Sequence, residues 1–398
     1  MNVQIKKLAD LSQSKSRVII GLMSGTSLDG LDIALCRFNG SGTDTKMELL
    51  HFRTVSYTPD FKKDLKSISF QSLADLQKIT LLNASIGNYY AELILECLQE
   101  WQFPVQEVDL IASHGQTIFH APYSLHHLTE YPNATLQIGD GDHIAVKTGI
   151  ITLSDFRQKH LAAGGEGAPL AVYGDFLLFA SATENRILLN IGGIANFTFL
   201  PAGKDPQLVF STDVGPGNTL MDQFVQLHYP KKHYDDNALL ASQGRIDQAL
   251  LNALMSHAFF TRPFPKTTGP ELFSLSYLNN AISSSESTGL SNEDILATLC
   301  EFTAQTISNA LSKTFAKDQA FKVYLSGGGM HNPLLVQGLS RLLNIELNDT
   351  GDLQLNPDAK EAVLFALLAN ECIAGGRLNF NGRPGLPSIS MGKISLPE

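Results

Sequence analysis

Between the apolar residues 18–20 and the alternating stretch 31–36, the chain places Ser24, Gly25, Thr26, Ser27, Asp29 and Gly30. These residue types suit an oligophosphate. Small residues let backbone N–H groups approach an anion closely, hydroxyls add donors, and a carboxylate can hold a neutralising cation. The same Gly, Ser and Asp also make ordinary hairpin turns, so the stretch reads either as an anion cradle or as a plain turn. Three more Gly-rich strand ends follow, at residues 192–196, 213–218 and 327–329. Brought together on one cleft, the four could cradle a chain of phosphates. Asp213, which opens DVGPGN, reads from its neighbours as a cap for the helix beginning near Asn218 or as a brace for the loop.

Other chemistries lack their residues. No GxxxxGK[ST] loop occurs, because Gly392 and Lys393 are followed by Ile394; there is also no GxSxG elbow and no HExxH helix. Cys36, Cys97, Cys300 and Cys372 are far apart in apolar patterns, which predicts buried free thiols. A net charge of -10 argues against broad nucleic-acid binding. No stretch has the length and apolarity of a membrane span, and the N-terminus lacks the pattern of a secretory signal, so a cytoplasmic location is expected.

The elements that must position these groups follow from periodicity. At 398 residues the chain is long enough for two domains. Residues 1–16 read as a polar tail or a short helix. Residues 18–38 form a strand, turn and strand, 46–57 a third strand, and 60–99 two helices, the second with apolar repeats at Leu81, Ile86, Tyr90, Leu93 and Leu98. Residues 108–112 read as a buried strand ending at Ser113–Thr117, 148–156 as another strand, 157–169 as a loop and 170–180 as a linking helix. The second half repeats the plan. Residues 186–191 and 195–200 form a hairpin around Gly192 and Gly193, and 208–212 a strand running into Asp213, with a helix over 219–227. Ser291 and Asp294 cap a long helix, 322–326 is a strand ending in three glycines, and 359–374 is the last helix, before a Gly- and Pro-rich tail. The prediction is two related α/β halves, 1–184 and 185–398, facing each other across a cleft, with the tail able to pack back on the first.

Several ordered motifs, taken together, resemble one family. GLMSGTSLDGLD, ASHGQT with His120 and Pro122 after it, LQIGDG, DFR followed by AAGGEGAPL, NIGGIANFT, DVGPGN and LSGGG with Asn332 are similar to the anhydro-N-acetylmuramic acid kinases across most of residues 18–375. The resemblance implies two duplicated actin-like ATPase domains of ribonuclease H-like fold around an interdomain cleft. It implies ATP and Mg²⁺ as cofactors, an anhydro amino sugar as substrate and a homodimer. Members open the 1,6-anhydro ring of anhydro-N-acetylmuramic acid with water and phosphorylate O6, giving N-acetylmuramic acid 6-phosphate in cell-wall recycling.

Residue by residue, the resemblance makes Asp213 the base that activates water. It assigns Gly25, Thr26, Ser27 and Asp29 to the first phosphate hairpin, with Asp29 reaching magnesium through water, and leaves Asp32 as a strand carboxylate. Asn190, Gly192 and Gly193 match the second hairpin, and Gly327, Gly328 and Gly329 the adenosine-side loop. His114, Gln116, Asp155, Arg157 and Glu361 are the sugar candidates; Arg157 pairs either with the lactyl carboxylate or with Asp155. The chain departs from the family pattern at His160, where many members carry Asp, and at Glu166, where many carry Gln. Two rival readings remain: a kinase of another anhydro sugar such as levoglucosan, and a non-catalytic sensor of cell-wall fragments.

Overall fold

A computed structural model describes residues 2–168, 170–269, 271–315, 320–376, 378–380 and 386–398. Pro169, at the end of the predicted loop and in the AAGGEGAPL motif, lies outside the described residues, as do Arg377 and residues 381–385 of the Gly- and Pro-rich tail. The strands are β1 (Ser16–Ser24), β2 (Gly30–Asn39), β3 (Lys46–Ser56), β4 (Leu110–Ala121), β5 (Ala134–Ile138) and β6 (Thr152–Ser154). They continue with β7 (Arg186–Ile191), β8 (Ile194–Leu200), β9 (Phe210–Pro216), β10 (Lys322–Ser326), β11 (Leu347–Asp349) and β12 (Lys393–Ser395).

One sheet has the order β12-β6-β4-β1-β2-β3, with β5 paired to β4, and the other the order β11-β10-β7-β8-β9. In both, a three-stranded antiparallel meander is extended from its first strand by two parallel strands: β4 and β6 beside β1, β10 and β11 beside β7. The two sheets therefore share one strand order, which is that of the ribonuclease H-like fold, and the expected duplicated α/β architecture is present.

The chain forms two compact units, Met1–Leu178 with Ala359–Glu398, and Phe179–Asp358. A division at 184/185 differs from this at the C-terminus, where the helix Lys360–Ala374 packs on β1, β2 and β4 of the first unit. Buried polar contacts explain why. Arg17 Nε donates to Asn370 Oδ1 at 2.6 Å, and Glu371 accepts from the Gly42 N–H at 2.8 Å and from Thr45 Oγ1 at 3.1 Å. A carboxylate and a guanidinium with so little exposure need such partners.

Local rules explain the elements that carry the site. In the first unit, Asp75 caps Leu76–Glu100 through the N–H groups of Gln77 and Lys78. That helix buries Ile86, Tyr90, Leu93 and Leu98 of the expected repeat, with Leu82, Ile94 and Cys97 beside them, whereas Leu81 of the repeat is 63% exposed. In the second unit, Ser291 Oγ accepts from the Asp294 N–H at 3.1 Å and starts Asn292–Thr314, whose Ile295, Leu299, Phe302, Ile307 and Leu311 are all buried.

Two predicted strand boundaries move, and the N-terminal segment takes the helical one of its two readings. The N-terminal segment is helical over Val3–Gln13, capped by Asn2. The strand read at 108–112 continues to Ala121, so residues 113–117 lie inside it, and the region read as a strand over 148–156 holds the end of helix Gly141–Thr148 and then β6.

Candidate active site

The first hairpin is built from a buried base and an exposed tip. Ser24, Leu28 and Gly30 are buried, while Thr26, Ser27 and Asp29 face solvent. The Leu28 N–H closes the turn on the Gly25 carbonyl at 3.3 Å. Asp29 is suited to a water-mediated cation, since its side chain is 81% exposed and, among the described residues, its ion-pair partner Lys62 Nζ stands 4.0 Å off.

Behind the tip runs a chain of buried hydrogen bonds in which each group donates toward the turn. Tyr90 donates to Tyr57 at 2.9 Å, Tyr57 to Ser24 Oγ at 2.7 Å, and Ser24 to Gln116 Oε1 at 2.6 Å. Gln116 Nε2 then donates to the carbonyls of Gly25 and Thr117 at 3.3 Å. The single hydroxyl hydrogen of Tyr57 goes to Ser24, which leaves Tyr90 as donor in the first link. Gln116, expected to touch sugar, has no exposed surface; its amide braces the turn at Gly25.

Arg157 is the centre of a second cluster in the same unit. Its Nε donates to His114 Nε2 at 2.9 Å and its Nη1 to the Gly167 carbonyl at 2.6 Å. His114 Nδ1 donates to the Gly115 carbonyl at 2.9 Å, so its ring is neutral. Burial, and then the Arg157 charge, hold that imidazole well below its ordinary range. His120 and His160 are lowered by the same two causes, His160 to about 4. Burial lowers Arg157 itself to about 10, against the opposing carboxylate of Glu361, so the guanidinium stays charged at neutral pH.

Asp155, in a left-handed conformation at φ 55°, pairs with Lys393 of β12. The Asp155–Arg157 pairing considered from sequence is thus not the arrangement adopted. Glu361 opens the helix Lys360–Ala374 with its side chain exposed. The protein around it nonetheless disfavours its charged form and raises its pKa, with Lys360 and Arg157 opposing and Asp32 adding. A ligand has access to this carboxyl. Asp32, also in the first unit, accepts from Thr54 Oγ1 at 2.6 Å.

In the second unit the Gly-rich segments converge. The N–H groups of Gly217 and Asn218 donate to the carbonyls of Gly193 and Gly192 at 2.9 and 2.8 Å, and that of Thr219 to Gly193 at 3.1 Å. These bonds tie the β7–β8 turn to the start of helix Thr219–His228. The approach leaves no room for a side chain: a Cβ on Gly217 would lie 2.1 Å from the Gly192 oxygen. Gly327 and Gly329 press on Asn190 and Ile191 equally closely. Asn190, Gly192, Gly193 and Gly327–Gly329 are therefore one local cluster.

Asp213 lies within β9, opposite Asn196 of β8, and not at the helix start, where Asn218 is the cap residue. Its carboxylate is held from the side by a segment that the sequence reading passed over. The Thr268 N–H donates to Asp213 Oδ2 at 2.9 Å, and the Asp213 N–H donates to the Lys266 carbonyl at 3.0 Å. Lys266 is anchored in turn, its Nζ donating to the Phe259 carbonyl at 2.9 Å and lying 4.2 Å from that ring's centroid. Burial raises the Asp213 carboxyl to about 6, against the Thr268 hydrogen bond. Such a group is ionised at neutral pH yet basic enough to take a proton from water.

Residues 264–269 carried no motif, and their role emerges only when the loop folds along β9. His120 was legible in the ASHGQT segment as part of the resemblance, but its place beside Arg157 was not.

Two copies of the ribonuclease H-like strand order, each with a Gly-lined hairpin turn, define a protein of the duplicated actin-like ATPase class. Residues 17–384 match the model of the anhydro-N-acetylmuramic acid kinase family, and the chain belongs to that family. Relatives of that name include proteins of Pseudoalteromonas atlantica, 55% identical, and Pseudoalteromonas translucida, 50% identical, each aligned over 100% of both chains. Another, from Caldanaerobacter subterraneus, is 38% identical over 98% of this chain and 100% of its own. The protein is accordingly an enzyme and a kinase. Among the described residues no helix is long and apolar enough to cross a membrane.

Proposed function

We propose that the chain uses ATP and water to open 1,6-anhydro-N-acetylmuramic acid, giving N-acetylmuramic acid 6-phosphate and ADP in the recycling of cell-wall fragments. The observation that carries this reading is the family match over residues 17–384, which includes Asp213 and both hairpins. In this account Asp213 takes a proton from the water that attacks C1. The C1–O6 bond breaks, O6 takes the γ-phosphoryl group, and ADP leaves. The proton on Asp213 returns to solvent.

The chain's own residues divide the work. Gly25, Thr26 and Ser27 hold phosphate oxygens in the first hairpin, and Asn190, Gly192 and Gly193 in the second. Gly327–Gly329 admit the adenosine side because they carry no side chains. Asp29 would hold magnesium through water, and the ion would neutralise phosphate charge. Arg157 binds the lactyl carboxylate, His114 fixes the guanidinium, and Glu361 accepts from a sugar hydroxyl. Gln116 serves the sugar only indirectly, by holding the first hairpin. The reading carries with it the family expectations of a homodimer and a cytoplasmic location.

The test is turnover. Purified protein with ATP, magnesium and the anhydro sugar should release ADP and a 6-phosphate identified by mass spectrometry, and levoglucosan in parallel should turn over far more slowly. Preference for levoglucosan would reassign the substrate.

A further inference from the structure

We propose that His160 is a positioning residue for substrate choice: through Gly167 it sets the orientation of Arg157, and thereby the preference for an anhydro sugar that carries a carboxylate. The inference rests on the reading of Arg157 as the carboxylate contact. His160 touches neither substrate nor solvent, having no exposed surface. Its Nδ1 accepts the Gly167 N–H at 3.0 Å, and the Gly167 carbonyl accepts Arg157 Nη1 at 2.6 Å. One peptide residue thus links the imidazole to the guanidinium.

The loop leaves His160 little freedom. A Cβ on Gly165 would lie 2.3 Å from its Cε1, and the Gly165 N–H donates to its carbonyl at 2.9 Å. Tyr173 packs edge-on against the ring, with centroids 5.8 Å apart. Because Nδ1 accepts, Nε2 carries the hydrogen, and among the described residues that buried atom has no partner. An unpaired buried donor is costly. What the ring offers at this position is its Nδ1 acceptor and its fit beneath Gly165.

Arg157 is held from two sides, by His114 on Nε and by Gly167 on Nη1. Among the described residues no protein group accepts from Nη2. The second Nη1 hydrogen and those of Nη2 are left to a ligand, and a guanidinium can take a carboxylate through two such bonds. A neutral sugar lacks the charged group that gains most from those donors. Tilting Arg157 by loosening Gly167 should cost the acidic sugar alone.

The experiment compares kcat/KM for 1,6-anhydro-N-acetylmuramic acid with that for 1,6-anhydro-N-acetylglucosamine, which lacks the lactyl carboxylate. His160→Asn places an oxygen where Nδ1 stood and should keep the wild-type preference. His160→Gln carries its oxygen one bond further and should lose about 10- to 100-fold of that preference. The loss should appear in KM for the acidic sugar, with kcat on the neutral sugar and KM for ATP unchanged. His160→Phe keeps the ring without the acceptor and gives the same readout should the Gln variant fail to fold by circular dichroism. A Gln or Phe variant with the wild-type preference, or an Asn variant as impaired as either, overturns the inference. Wild type showing no preference at all would instead refute the reading of Arg157, and His160's role with it.

Discussion

The backbone N–H of Thr268 donates to Oδ2 of Asp213 at 2.9 Å, so the carboxylate of β9 is aimed by a segment 55 residues further along the chain. The same segment takes the Asp213 N–H on its Lys266 carbonyl, which fixes both ends of the residue. In the proposed role of base, a carboxylate held this way loses little entropy when it meets water.

Asp213→Asn should lower kcat by about 10²- to 10⁴-fold, the usual worth of a general base, while leaving KM for ATP within a few-fold of wild type. In the wild type the base must be ionised. With its pKa at about 6, log kcat should fall with unit slope as the pH drops below that value and level off above it. Initial rates of ADP release across the pH range measure both effects. An Asn variant with full turnover would return Asp213 to a purely structural role.

The same substitution should stabilise the fold near neutral pH. The Asp213 carboxyl is raised from 3.8 to about 6, so between those values the folded state binds the proton more tightly than the unfolded chain does. Stability from this group is then fully present below the unfolded pKa and is lost as pH rises through about 6. At neutral pH the ionised carboxylate costs on the order of 3 kcal/mol, which asparagine avoids. Thermal melts should show a Tm gain for Asp213→Asn at neutral pH that fades toward pH ~4. A gain that is equal at both pH values would contradict the assigned shift.

Tyr57→Phe should loosen the first hairpin without touching its tip. The change leaves the Tyr90 hydroxyl without its acceptor and Ser24 without a donor, both in the buried interior. The expected cost is about 1–3 kcal/mol in urea unfolding, together with a higher KM for ATP and an unchanged KM for the sugar. An equal rise in both KM values would indicate general loosening in place of a specific role at the phosphate turn.

How much of this was legible beforehand depended on the range of the contact. The β1–β2 hairpin, the repeated plan and the glycines of residues 192–193 and 327–329 could be read because the information is local: apolar alternation, turn residues and motif order. Gln116 was singled out, but nothing in ASHGQT says that the strand runs on through it and turns its amide toward Ser24. Residues 264–269 were silent because a backbone donor has no residue signature. The Lys360–Ala374 helix reads as an ordinary apolar helix; its packing on β1, β2 and β4 and its polar contacts through Asn370 and Glu371 tie it to the first unit.

That attachment gives its own prediction. A Cβ on Gly21 of β1 would lie 1.9 Å from the Ala362 carbonyl oxygen, which belongs to the backbone of that helix and cannot rotate away. Gly21→Ala should therefore destabilise the protein by about 3 kcal/mol or more, beyond the usual range for one added methyl, and reduce soluble yield. Gly149→Ala, where a Cβ meets nothing within 4 Å, should cost less, its φ of 73° being the only penalty. Equal stability of the two variants would argue against the close packing of helix on strand.

The central claim is that Asp213 directs water to C1 while O6 receives the phosphoryl group. Reaction of the purified enzyme with ATP, magnesium and 1,6-anhydro-N-acetylmuramic acid in oxygen-18 water tests it most directly. The account predicts one labelled oxygen at C1 of the 6-phosphate product and none in the transferred phosphate. Label in the phosphate, or ADP release with the anhydro ring still closed, would contradict it.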